Sequence, residues 1–198
     1  MSYRIVQNGG SFHITDSRDL TSDVGSVPSA VGATVNAQHV SLGPLVITTL
    51  TLSDVAQAVT NGTEYQSTEI FDFPEGRISV LGCTASLAQK TTSALATTIN
   101  TGSTMACALG TAAASNVALT STMVDLLPST NLTTSTTINV AGSAVGAALA
   151  AAAQFDGTTT AKKMYLNTGF ATTTDVDGNG TQTISGSVVI TWINLGDY

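Results

Sequence analysis

Apolar and polar positions alternate with a period of two through much of this chain, most clearly over residues 69–89 (EIFDFPEGRISVLGCTASLAQ). Phe71 and Phe73 alternate with Ile70 and Asp72, and the Pro74-Glu75-Gly76 triplet then supplies a turn. A second extended run follows, with Leu81, Cys83, Ala85 and Leu87 on one face and Gly82, Thr84, Ser86 and Ala88 on the other. Successive side chains of a strand point to opposite faces of the pleat, so this is the pattern of half-buried strands. Proline presets φ and glycine accepts positive φ, so the triplet can reverse the chain. The pattern predicts a β-hairpin whose aromatic and aliphatic face seeds a core.

The same reading extends along the chain. Residues 44–53 (PLVITTLTLS) predict a strand. Residues 54–61 predict a helical turn, with Val55, Ala56 and Val59 on one face and Asn61-Gly62 ending it. Residues 104–111 predict a strand with Met105, Cys107 and Leu109 on one face. A short strand over 116–127 ends at Pro128, a surface loop over 129–137 follows, and residues 138–140 re-enter the sheet. For 143–154 alanine propensity favours helix while the neighbouring strands favour β, and both stay open. Phe155-Asp156-Gly157 predicts a turn, 163–170 a strand and 175–180 a tight loop. Residues 183–195 predict a long last strand with Ile184, Val188, Ile190 and Trp192 on one face. About eight short strands separated by turn residues imply an all-β fold, an antiparallel jelly-roll-like β-sandwich over residues 44–198.

Residues 1–43 differ. They show no sustained period, yet they space Tyr3, Ile5, Val6, Phe12 and Ile14 along a polar stretch. A segment of that length without its own core is either disordered or ordered against a neighbour. The apolar spacing favours an extended N-terminal arm docked on another subunit, with those five residues as the candidate contacts.

Composition narrows the function. The 198 residues are 42% apolar but only 5% aromatic, so the core is built from Ala, Val, Leu and Ile with few large anchors. Charged residues are 10% of the chain, against roughly 25% in ordinary soluble domains. Such a neutral, hydroxyl-covered surface suits a protein packed into an assembly. The net charge of −7 and the lack of clustered Lys and Arg argue against nucleic acid as a partner. The first residues carry no continuous apolar stretch of a secretory signal. The longest apolar run, 144–153, is about half the length needed to cross a bilayer. Cys83 and Cys107 sit in apolar, strand-like surroundings and are expected as buried free thiols, made in a reducing cytoplasm.

Catalytic patterns are missing. His13 and His39 lie near no nucleophile motif, and no G-x-S-x-G, H-E-x-x-H, C-x-x-C or phosphate-binding glycine loop occurs. Glu64, Glu69, Asp72 and Glu75 surround the central turn, and Asp72 with Glu75 could in principle serve acid–base chemistry. Solvated turn residues are the simpler reading. Asp175-Val176-Asp177-Gly178-Asn179-Gly180 matches the first half of a calcium loop, but the twelfth position is Gly186 where a bidentate Glu is needed. A hairpin loop is expected there. No catalytic residue, cofactor or metal is therefore expected, and the chain reads as a non-enzyme.

Three stretches, IFDFPEGRISVLG (70–82), AAQFDGTTTAKKMYLN (152–167) and SGSVVITWINLGDY (185–198), resemble a known family. It comprises small structural proteins of tailed-bacteriophage heads, the virion decoration or cement proteins. The stretches cover roughly a quarter of the chain, and none is a functional motif. The resemblance implies a jelly-roll-like protein on the capsid exterior, bound to the major capsid protein, stabilising the shell, and self-associated as a dimer or trimer. Two other readings compete with it. One is a receptor- or glycan-binding module of a tail fibre, with Tyr165, Trp192 and Tyr198 as a sugar platform; the other is a glycan-degrading enzyme, which lacks a constellation of residues to do the chemistry.

Overall fold

The computed structural model describes residues 3–8, 11–16, 24–91, 104–133, 142–146, 154–157, 159–170 and 176–195; for 3–8, 11–16, 91, 104, 133, 142–146 and 154–156 it describes the backbone alone. Among these residues the strands are β1 (Tyr3–Asn8), β2 (Ser11–Asp16), β3 (Val35–Leu42), β4 (Leu45–Val59), β5 (Tyr65–Asp72), β6 (Arg77–Thr91), β7 (Thr104–Gly110), β8 (Leu127–Thr133), β9 (Gly142–Gly146), β10 (Gln154–Asp156), β11 (Lys163–Phe170) and β12 (Gly180–Asn194). One 3-10 turn, Ser121–Met123, precedes β8.

The strands form two sheets. The long one runs β1-β2-β3-β4-β12-β6-β10, with β9 also paired to β6, and the short one runs β5-β11-β7-β8. Every pairing among them is antiparallel except β2 with β3. The order is nested: β4 pairs with β12, β5 with β11, β6 with β9 and β10, and β7 with β8. A long antiparallel ribbon folded over itself in that way is the jelly-roll connectivity, and the expected all-β sandwich is what the chain forms. The core lies between the sheets. Val46, Leu50, Val55, Ile78, Val188, Ile190 and Trp192 come from the long sheet, and Phe71, Met105, Leu109, Met164 and Leu166 from the short one.

Several expected elements change. The hairpin expected around Pro74-Glu75-Gly76 is a crossing between sheets, because β5 pairs with β11 while β6 pairs with β12. Phe73 drives it. Its N–H donates to the Lys162 carbonyl (2.8 Å), and its ring is buried edge-on to Trp192 of the opposite sheet (5.6 Å). The helical turn expected over 54–61 is the second half of β4. A bulge sets Ser53 and Asp54 against Ser185 alone, with Asp54 at φ 54°. Inward positions therefore run Val46, Thr48, Leu50, Leu52 and then Val55, Gln57, Val59, so Val55 and Val59 share the inner face as alternate strand positions while Ala56 is exposed.

A second bulge, at Leu81 opposite Thr191 and Trp192, turns Leu81 outward while Val80 and Cys83 point in. The short strand expected over 116–127 is loop and a 3-10 turn up to Leu126, and the surface loop expected over 129–137 is instead strand as far as Thr133. Leu127–Thr133 contains Pro128 and is the edge strand of the short sheet, where a residue without an N–H is tolerated. Within 143–154, Gly142–Gly146 and Gln154–Asp156 form strands, and 147–153 lies outside the described residues, as do 92–100 and 138–140.

The arm expected over 1–43 also joins the sheet. Val35–Leu42 pairs with β4 along its whole length, and Val24, Val27 and Val31 pack against the core. Ser26 exchanges backbone hydrogen bonds with Asp72 (2.9 and 2.8 Å). Its inward side chains explain the difference: Val35, His39 and Ser41 are buried, so a region without a clean apolar period still has an inner face.

Candidate interaction face

The outer face of the long sheet is where this chain departs most from an ordinary surface. Directly opposed residues of neighbouring strands share a face, which lets the register be read as rows. One row runs Ile5, Ile14, Leu42, Leu45, Ile193 and Ser79 across β1, β2, β3, β4, β12 and β6. The next runs Val40, Ile47, Thr191 and Gly82, with the bulged Leu81 beside it. Then follow Gln38, Thr49, Val189, Thr84 and, further along, Asn36, Thr51, Ser187, Ser86. No ionisable residue stands in these four rows. Val40, Leu42 and Leu81 keep 51%, 54% and 51% of their surface in water.

The local cause is the β3–β4 turn. Leu42 and Leu45 oppose each other across Gly43-Pro44, and Gly43 supplies the positive φ (67°) that such a two-residue hairpin turn needs. That register directs Val46, Thr48, His39 and Ser41 inward, and so Val40, Leu42, Leu45 and Ile47 outward. The inward polar groups are satisfied in part by one another: Trp192 Nε1–H donates to Thr48 Oγ1 (3.0 Å), and His39 Nδ1 shares a hydrogen bond with the same hydroxyl (3.0 Å).

Of the five contact residues expected in the arm, the β1–β2 register places Tyr3, Ile5, Phe12 and Ile14 at positions of one face. Through Ile14 opposite Leu42, that face continues the apolar rows of the sandwich. Val6 falls at a position of the opposite face, paired with His13. Val40, Leu42, Ile47 and Ile193 were not anticipated. Their signal was inverted polarity in His39-Val40-Ser41-Leu42, where the polar residues turn inward.

Other groups considered for chemistry are engaged elsewhere. Asp72 lies beside Glu69, not Glu75; burial, then the Glu69 charge, holds its carboxyl above the ordinary carboxylate range. Glu69 accepts a salt bridge from Lys163 (2.7 Å), and Glu75 is exposed. Asn179 Oδ1 accepts the Asn61 N–H (2.9 Å), while Asn61 Nδ2 donates to the Asp177 carbonyl (3.0 Å), which ties the 175–180 loop to the β4–β5 turn. Asp175 lies outside the described residues. Trp192 is fully buried and cannot serve as a sugar platform; Tyr165 is half-buried, and Tyr198 lies outside the described residues. Both cysteines are buried and unpaired, and burial pushes each thiol up to about 12.

No protein-family model matches the chain, and no curated protein matches it. A chain from a solved structure of infectious bursal disease virus, Gx strain, aligns at 12% identity and a TM-score of 0.35, over 80% of this chain and 35% of its own. This chain thus spans about a third of that one's length, and likeness at that level carries no argument about function.

Proposed function

We propose that this chain is a structural protein of a phage virion that decorates the head, its outer sheet face seated on the major capsid protein. The observation that carries the reading is the uncharged apolar face. In a chain of net charge −7, four adjoining rows of one sheet hold no ionisable side chain, and three aliphatic residues in or beside them, Val40, Leu42 and Leu81, are half in water. Contiguous apolar surface of that kind marks interaction sites. The resemblance of residues 70–82, 152–167 and 185–198 to head decoration proteins supplies the partner. The jelly roll agrees by analogy only, since a fold does not fix a function.

Magnitudes say how such a face would act. Full burial of a Val or Leu side chain is worth about 1.5–3 kcal/mol, so covering each half-exposed one returns about 1 kcal/mol. The three half-exposed residues, Val40, Leu42 and Leu81, give about 3 kcal/mol, while association costs about 4 kcal/mol or more. A single copy therefore binds weakly, and stable decoration needs many copies on a repeating lattice or a multivalent unit.

The test is sedimentation with heads that lack the native copy. The double variant Val40→Asp, Leu42→Asp should melt within about 0.5 kcal/mol of the parent, since both sites are solvent-facing. It should bind the heads at least about tenfold more weakly, because two lost contacts exceed the 1.4 kcal/mol that tenfold requires. Ala58→Asp, exposed at the far end of β4, should bind like the parent. Undiminished binding by the double variant overturns the proposal.

A further inference from the structure

We infer that the β1–β2 hairpin docks on the β3 edge of a second copy of this chain, so that two copies exchange their N-terminal hairpins. The hairpin is paired with itself from Tyr3–Asp16 to Asn8–Ser11, but its link to the sandwich is one register pair, Ile14 with Leu42. A two-stranded ribbon is marginal by itself and needs a sheet to join. The chain beyond it is held firmly: Ser26 is bonded to Asp72, and Val24, Val27 and Val31 pack on the core. Between Asp16 and Val24 lie seven residues, whose extended reach is about 25 Å. The tether therefore does not decide which β3 edge the hairpin joins.

Charge and symmetry favour a second copy as the occupant. Two chains of net charge −7 repel unless their contact is uncharged. Along this seam β2 reads SFHITD and β3 reads VNAQHVSL, with Asp16 at the end as the one acidic residue and no Lys or Arg. Reciprocal exchange closes on a two-fold axis, forms the same main-chain bonds twice, and leaves no β3 edge open to further strands. It also joins the apolar rows of two copies, because Ile14 of one continues into Leu42 of the other. The inference does not depend on what covers the outer face.

A mixed disulfide tests it. Paired residues of neighbouring strands sit about 5 Å apart at Cα, within disulfide reach. A tagged Ile14→Cys chain is co-expressed with an untagged Leu42→Cys chain, purified through the tag, oxidised and run on a non-reducing gel, with circular dichroism confirming that both fold. The native thiols, Cys83 and Cys107, are buried and stay silent. A covalent pair of one tagged and one untagged chain, absent when either variant is expressed alone, is the expected result. Absence of that pair overturns the inference, whether or not a chain carrying both substitutions closes on itself.

Discussion

Replacing Trp192 probes the centre of the sandwich. Its ring is fully buried and meets Phe73 edge-on at 5.6 Å (87°); Phe73 meets Phe71 in the same manner at 5.2 Å (85°), and Phe71 lies 5.9 Å from His39. This aromatic chain bridges the long and short sheets. Trp192→Ala removes the largest buried side chain, and such truncations cost about 3–5 kcal/mol. The lost edge-to-face pair adds about 0.5–1.5 kcal/mol beyond burial, and the Thr48 hydroxyl loses a donor. The total should fall near 5 kcal/mol, equivalent to a fall in Tm of about 10–20 °C for a chain of this size. Trp192→Phe keeps a ring beside Phe73 and should cost about half as much. The chain has one tryptophan, so fluorescence vanishes with it, and denaturant melts should follow far-UV circular dichroism. A loss below about 1 kcal/mol at unchanged m would refute the reasoning, since a fully buried aromatic is worth more than that.

Two further predictions concern the long sheet. Gly186 has φ 141°, and a Cβ there would stand 2.0 Å from the Ser86 carbonyl oxygen, so Gly186→Ala should cost about 2–4 kcal/mol in a urea melt. Gly82 has nothing within 4 Å of such an atom, and Gly82→Ala should change stability by no more than about 0.5 kcal/mol; equal effects would contradict the bulge geometry. Cys83 and Cys107, with thiols pushed up to about 12 by burial, should ignore a chromogenic disulfide reagent at pH 8 in the native protein and react in full once it is unfolded. Fast reaction of the native protein would show that a thiol is reachable.

What the sequence made legible follows from what a period of two can encode. It located β7, β11 and β12 and assigned the inward faces of β7 and β12 correctly, because Met105, Cys107, Leu109 and Ile184, Val188, Ile190, Trp192 alternate without ambiguity. It does not say which sheet a strand joins. The runs on either side of Pro74-Glu75-Gly76 would look the same in a hairpin as in a crossing, and the choice rests on Phe73 packing against Trp192, far away in sequence. Bulges mislead for a related reason: one extra residue at Asp54 breaks the period of two within β4, the four-residue spacing of Val55 and Val59 fits a helix as well as a strand, and Leu81 changes face. The candidate interaction face was half legible. Apolar residues in the unpatterned N-terminal stretch pointed to a contact, but Val40 and Leu42 sit in an alternation whose polar partners, His39 and Ser41, occupy the core. Either phase of that segment is chemically reasonable, and only pairing with β4 decides it.

The central claim is that the outer face of the long sheet meets the coat. Cryo-electron microscopy of heads saturated with the purified protein tests it most directly. The expected map shows the rows containing Leu42, Leu45 and Ile193 and Val40 and Ile47 against the capsid surface, with the short sheet toward solvent. A map with that face open to water and the short sheet, or a loop end of the sandwich, on the coat would contradict it.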